Sequence, residues 1–86
     1  MQVLPIGSVV LLKNHDHRTI ITGRKLRCNE TKELYDYAGC PFPDGYQDER
    51  SVMLFNESDI KIVFAIGYQS FEEFELKRAI EKEQSQ

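Results

Sequence analysis

The sequence predicts a small, mainly β domain (α+β): a strongly bent antiparallel sheet or SH3-like partial barrel of about five strands with a C-terminal helix. Three observations predict this fold class. Short β-branched runs recur along most of the chain, turn-forming residues separate them, and a run of helix-forming residues ends it. With 86 residues, 41% apolar and 29% charged, the chain fits a single domain over residues 1–86.

A β-hairpin is predicted near the N-terminus. Residues 8–13 (SVVLLK) and 18–27 (RTIITGRKLR) are rich in β-branched side chains, and the loop NHDH between them consists of turn formers. Gly23 inside the second run predicts a bulge, which would curl the sheet.

A third strand is predicted over residues 33–39 (ELYDYAG), after the polar turn CNETK. The following segment, 40–46 (CPFPDGY), is predicted to be a turn. Pro43 presets its own φ there, and Gly45 supplies the positive φ that tight turns often need.

Two further strands complete the predicted sheet. Residues 51–55 (SVMLF) predict a short buried strand, and Asn56 after it predicts the start of one helical turn. Residues 60–68 predict the last strand, in a sheet covered mainly on one side. Strict alternation places five side chains on its covered face: Ile60, Ile62, Phe64, Ile66 and Tyr68.

A capping box predicts the start of the C-terminal helix, with Ser70 as N-cap and Glu73 as its reciprocal partner. Phe71 and Phe74 are expected to pack on the sheet. Leu76, Ala79 and Ile80 lie on a second side of the helix, where they either close the end of the barrel or contact a partner. Residues 81–86 are expected to fray.

The composition argues against nucleic-acid and membrane binding. The formal charge is −3, from 11 Lys and Arg against 14 Asp and Glu, and basic residues form no clustered face. No apolar run approaches the roughly 20 residues needed to cross a bilayer. The N-terminus has no secretory signal pattern, so we expect a cytoplasmic protein, and no motif indicates a cofactor.

The cysteines and histidines leave several alternatives open. Cys28 and Cys40 could form a disulfide, remain free thiols, or join His15 and His17 in a tetrahedral zinc site. A reducing cytosol favours free thiols, and the spacing lacks the close cysteine pairs of zinc knuckles. A small metal- or ligand-binding domain using these four residues is the alternative function. Cys40 is the best candidate nucleophile, but it has no neighbouring base, so no enzyme activity is predicted.

Aromatic residues are concentrated in the segment YDYAGCPFPDGYQ, residues 35–47. Tyrosine and phenylalanine held by Pro and Gly offer a large contact area at little ordering cost, so they either close the core or bind a protein. Together with the second side of the helix they give the predicted protein-binding residues: Tyr35, Tyr37, Phe42, Tyr46, Leu76 and Ile80.

Three segments carry a family resemblance: LPIGSVVLLK, YDYAGCPFPDGY and FNESDIKIVFAIGY. They resemble the signature segments of a small bacterial family, domain of unknown function 4176, with Phe42 where the family has tyrosine and Asp44 where it has glutamate. The resemblance implies a place beside the type VII secretion machinery and LXG-type toxins of Gram-positive bacteria. It therefore implies a cytoplasmic chaperone or adaptor whose partner is a secreted toxin encoded nearby. A second copy of the chain is the other partner that the second side of the helix could contact.

Overall fold

Five strands form one open antiparallel sheet in the computed structural model, which describes residues 3–28 and 30–84. The strands are β1 (Val9–Leu12), β2 (Arg18–Arg27), β3 (Leu34–Phe42), β4 (Met53–Phe55) and β5 (Ile60–Ala65), and the helix α1 spans Phe71–Gln84. The spatial order is β4-β3-β2-β1-β5, so β4 and β5 are the edges. The predicted fold class is confirmed, as an open sheet that does not close into a barrel.

The hairpin of β1 and β2 forms where the β-branched runs predicted it. The register changes between Ile21 and Gly23, which confirms the bulge. Strand β3 is longer than predicted, because Cys40 and Phe42 continue the ladder opposite Ile20 and Arg18. The expectation that residues 40–42 belong to a turn was therefore wrong.

Asp36 on β3 fixes the turn that follows β4. Its backbone N–H donates to Asn56 Oδ1 at 3.0 Å, and its carboxylate accepts from the backbone N–H of Glu57 at 2.9 Å. Asn56 precedes one turn of 3-10 helix, Glu57–Asp59, as predicted. These bonds satisfy one backbone donor of β3 and one of the short helix, and they tie the short helix to β3.

The core lies on one face of the sheet, where buried side chains of successive strands meet. Gly39 on β3 allows close packing there, since a Cβ at this position would lie 2.5 Å from Thr19 Cγ2. Seven buried residues form the core cluster: Val3, Val10, Leu12, Ile21, Tyr37, Phe55 and Ile80.

Strand β5 is irregular, and its predicted covered face does not form. The register pairs Ile60 with Leu12 but Ile62 with Leu11, so these two isoleucines point to opposite faces. Register shifts on both sides of the central pairs break the alternation on which the prediction depended. Ile62 remains 41% exposed.

Helix α1 begins as predicted, since Ser70 Oγ accepts from the N–H of Glu73 at 3.2 Å. The Glu73 carboxylate does not return to Ser70 but pairs with Arg24 at 2.6 Å. Phe71 and Phe74 are 78% and 50% exposed, so the expectation that they pack on the sheet was wrong. The ion pair and Ile80 attach the helix instead.

The helix includes residues 81–84 of the segment expected to fray, and residues 85–86 lie outside the described part. Over the described residues, no helix has the length and apolar character needed to cross a membrane.

Candidate protein-binding surfaces

Tyr37, one of the predicted contact residues, lies in the core. Its side chain is 0% exposed and stacks on Phe55 with 5.6 Å between the ring centroids. Its hydroxyl oxygen accepts from the backbone N–H of Leu4 at 3.1 Å, which ties the N-terminal segment to β3. Burial raises the pKa of Tyr37. A side chain so enclosed closes the core and cannot contact a partner unless the fold opens.

The other aromatic residues of the 35–47 segment lie nearer to solvent. Tyr35 is partly exposed, and its hydroxyl donates to the Glu33 carboxylate at 3.2 Å, a bond that raises the pKa of Tyr35. Phe42 and Tyr46 are 38% and 63% exposed. We call Tyr35, Phe42 and Tyr46 the turn aromatics. They remain candidates for contact, so the aromatic segment divides between core and surface.

The largest group of exposed apolar side chains lies elsewhere, in residues 62–76. We call this stretch the exposed apolar segment. Arg18 lies over the ring of Phe64, 4.4 Å from its centroid, yet Phe64 stays 47% exposed. Eight large apolar side chains in the segment are 41–84% exposed: Ile62, Val63, Phe64, Ile66, Tyr68, Phe71, Phe74 and Leu76.

The predicted second side of the helix divides in the same way. Ile80 is 7% exposed and belongs to the core cluster, whereas Leu76 is 49% exposed. Ala79 is exposed and lines a cavity beside the helix. Ile80 therefore contributes to core closure, and of the two predicted helix contacts only Leu76 is available at the surface.

The cysteines are free thiols in different surroundings. Cys40 is buried in the sheet, and Cys28 is partly exposed at the end of β2. Hydrogen bonds from the backbone and side chain of Thr31 lower the pKa of the Cys28 thiol. Across residues 3–28 and 30–84, no three His, Cys, Asp or Glu side chains are grouped as a metal site requires. The structure therefore does not bring His15, His17, Cys28 and Cys40 together.

Sequence reasoning missed two features of the surface. One is the Arg24–Glu73 ion pair, whose partners lie on β2 and α1 and whose meeting no local pattern predicts. The other is the exposure of the apolar segment. A signal for it was present: Ile62, Val63 and Phe64 are consecutive apolar residues, typical of a strand covered on both faces. In the structure β5 lacks that cover, since these three side chains are 41–47% exposed.

The fold and its surfaces define a small, mainly β domain with a C-terminal helix and many exposed apolar side chains. The chain belongs to the family described as Domain of unknown function (DUF4176), which it matches over residues 3–76. This match confirms the resemblance seen in the three signature segments. No curated protein and no solved structure matches the chain.

Proposed function

We propose that the protein is a non-catalytic accessory protein, a chaperone or adaptor, that binds an LXG-type toxin for type VII secretion in Gram-positive bacteria. It acts in the cytoplasm, before export of the toxin. Two observations support this proposal. The signature segments resemble those of a family encoded beside such toxins, and the chain matches that family over residues 3–76. The domain also exposes many large apolar side chains. The mechanism is binding alone and needs neither a cofactor nor a catalytic residue.

The observation that carries the proposal is the exposed apolar segment. Eight large apolar side chains exposed within residues 62–76 are unusual for a monomeric soluble protein, and exposed apolar surface is typical of protein contacts. Here Tyr68 and Phe71 are 84% and 78% exposed although both are large aromatic residues. Aromatic side chains with few rotatable bonds are also the residues that most often dominate binding energy at interfaces. We therefore assign toxin binding to this segment rather than to the turn aromatics.

Co-expression with the toxin encoded beside this gene tests the proposal. A tagged copy of the protein should retain the toxin on an affinity column and keep it in the soluble fraction. Phe71→Ser with Phe74→Ser should lower the recovered toxin by about tenfold or more, because each change removes a large exposed contact. The matched pair Phe42→Ser with Tyr46→Ser alters the turn aromatics and should retain the toxin.

Both double variants change exposed positions, so the free energy of unfolding of the isolated domain should fall by no more than about 1 kcal/mol for either pair. A toxin that stays soluble and unbound beside the wild-type protein would contradict the proposed function. If only the second pair loses the toxin, the turn aromatics form the binding contact and the exposed apolar segment does not.

A further inference from the structure

Strand β5 leaves one side of its backbone unpaired. It lies at an edge of the sheet, where β1 is its neighbour. Among residues 3–28 and 30–84, no hydrogen bond joins residues 61–65 to any part of the chain other than β1. The backbone N–H and C=O groups on the outer side of the strand are therefore free to bind. An extended strand satisfies such a row of donors and acceptors, as in β-strand addition.

The opposite edge of the sheet is better protected. Strand β4 has three residues, Met53–Phe55, and a turn of 3-10 helix lies on each side of it in the chain. Short edge strands are a common protection against the addition of another strand. Strand β5 is twice as long, contains no proline, and has Lys61 as its only charged residue. Because residues 61–65 are all exposed, β5 is the edge that can accept a further strand.

The side chain of Val63 continues the core towards this open edge. Val63 lies opposite Val10 of β1, and directly opposed residues of two strands share one face of the sheet. Val10 is 0% exposed and belongs to the core cluster, whereas Val63 is 43% exposed. A strand added beside β5 with an apolar residue opposite Val63 would therefore extend the core by one more row.

Strand β5 itself has the sequence that such an added strand needs. When two identical strands pair antiparallel about a two-fold axis, one residue lies opposite its own copy and its neighbours pair symmetrically around it. Val63 is the middle residue of the exposed stretch 61–65. Pairing centred there gives three kinds of opposed pair: Val63 with Val63, Ile62 with Phe64, and Lys61 with Ala65. Large apolar side chains then face one another, and neither lysine faces a charge.

We propose that a second copy of the chain binds this edge, with the β5 strands of the two copies paired antiparallel about a two-fold axis at Val63. The two sheets then form one continuous sheet. Such an interface closes the assembly at two copies, because it occupies the open edge of both. The inference does not rest on the proposed function. Phe71 and Phe74, the residues tested above for toxin binding, lie on α1 and outside β5.

Sedimentation velocity over a series of concentrations tests the dimer. The full chain should pass from one copy to two with a Kd on the order of 10 µM, since a strand edge is a small interface. Val63→Lys should weaken association by at least about tenfold, because it places two like charges directly opposite each other. Val52→Lys is the matched control. It changes a valine that is 39% exposed, directly before β4, and should leave association unchanged.

Disulfide cross-linking tests the register of the two strands. Directly opposed residues of antiparallel strands have Cα atoms about 4.5 to 5.5 Å apart, a separation that a disulfide can span. Cys28→Ser removes the partly exposed thiol, and Cys40 is buried. In that background Val63→Cys should form a covalent dimer under mild oxidation at least about tenfold faster than Val52→Cys, because only position 63 lies opposite its own copy.

Two results would overturn the proposal. A wild-type chain that stays monomeric up to about 1 mM, roughly a hundredfold above the expected Kd, would show that β5 does not pair with its own copy. Equal cross-linking at positions 63 and 52 would show that any dimer forms through another surface. Cross-linking decides the matter even if Val63→Lys fails to fold. A dimer that recovers no toxin would leave this inference standing while the proposed function fails.

Discussion

The centre of the sheet and the exposed apolar segment contain similar residues but place them oppositely. Tyr37 and Phe55 on neighbouring strands are 0% and 3% exposed, whereas Tyr68 and Phe71 after β5 are 84% and 78% exposed. Packing against the core explains the difference. Phe55 is buried against Tyr37 although it lies on the edge strand β4, whereas Tyr68 and Phe71 lie beyond the end of β5 and outside the core cluster. Apolar character alone therefore does not identify core residues in a small sheet.

The comparison also separates stability from binding. Fully burying an apolar side chain contributes about 1.5 to 3 kcal/mol, so changes in the centre should weaken the fold. Side chains of the exposed apolar segment contribute much less to the isolated domain. Changes there should leave the fold largely unaltered and act on association instead.

The largest expected effect comes from one substitution made at two positions of the helix. Ile80→Asp should lower the free energy of unfolding by roughly 3 to 5 kcal/mol, because it removes a core side chain and buries a carboxylate. Leu76→Asp, one helical turn earlier, should lower it by less than about 1 kcal/mol, since Leu76 is 49% exposed. Urea unfolding of the two variants beside the wild type measures both changes.

Equal losses at the two positions would remove the distinction between core and contact residues on this helix. A small loss for Ile80→Asp would show that the C-terminal part of the helix does not close the core in solution. Circular dichroism of each variant before unfolding checks that the helix is formed.

An intermediate effect is expected from glycine substitutions in the sheet. In Gly39→Ala the added Cβ would lie 2.5 Å from Thr19 Cγ2 and 2.8 Å from the carbonyl oxygen of Ile20, so the strands must separate. We expect a loss of about 1 to 3 kcal/mol. In Gly23→Ala the nearest atom is Leu26 Cδ1 at 3.3 Å, the end of a flexible side chain, so the change should cost less than about 1 kcal/mol.

Thermal unfolding of both alanine variants checks this pair. If Gly23→Ala proved the more damaging change, the bulge would be the tightly constrained part of the hairpin, and the close packing at Gly39 would not hold.

Local patterns predicted the fold where neighbouring strands follow each other in sequence. The bounds of β2 agree with the β-branched run at 18–27, because a turn and a bulge within one hairpin determine them. The extension of β3 to Phe42 was missed because pairing with Arg18 on β2 overrides the turn propensity of the Cys-Pro-Phe run. The faces of β5 were missed because bulges against β1 break the alternation. Both errors come from long-range pairing.

The candidate sites depended even more on contacts between distant segments. Tyr37 and Ile80 were predicted contact residues, but pairing and helix docking bury them. Sequence patterns gave Glu73 a capping role, whereas Arg24 draws its carboxylate to the sheet. The sequence could indicate which residues were apolar and rigid. Which of them stay exposed depends on how the strands pair and on where the helix attaches to the sheet.

The smallest expected effect concerns the pH dependence of stability, which sharpens the contrast between a buried and an exposed tyrosine. Burial raises the pKa of Tyr37, so above the ordinary tyrosine pKa of about 10 the unfolded chain loses this proton while the folded protein keeps it. The folded state then binds more protons, and the free energy of unfolding must fall as the pH rises. Tyr35, whose pKa is raised by its bond to Glu33, adds a contribution of the same sign.

Tyr37→Phe tests this dependence on pH. The change should cost about 1 kcal/mol at neutral pH, because the Leu4 N–H loses its acceptor. It should also flatten the fall in the free energy of unfolding between about pH 9 and 11. Urea unfolding at neutral pH and across about pH 9 to 11 measures both effects. Tyr68→Phe, at a side chain that is 84% exposed, serves as the control. A decline as steep in Tyr37→Phe as in the wild type would mean that Tyr37 ionises equally in both states, and so that its ring is not enclosed by the core.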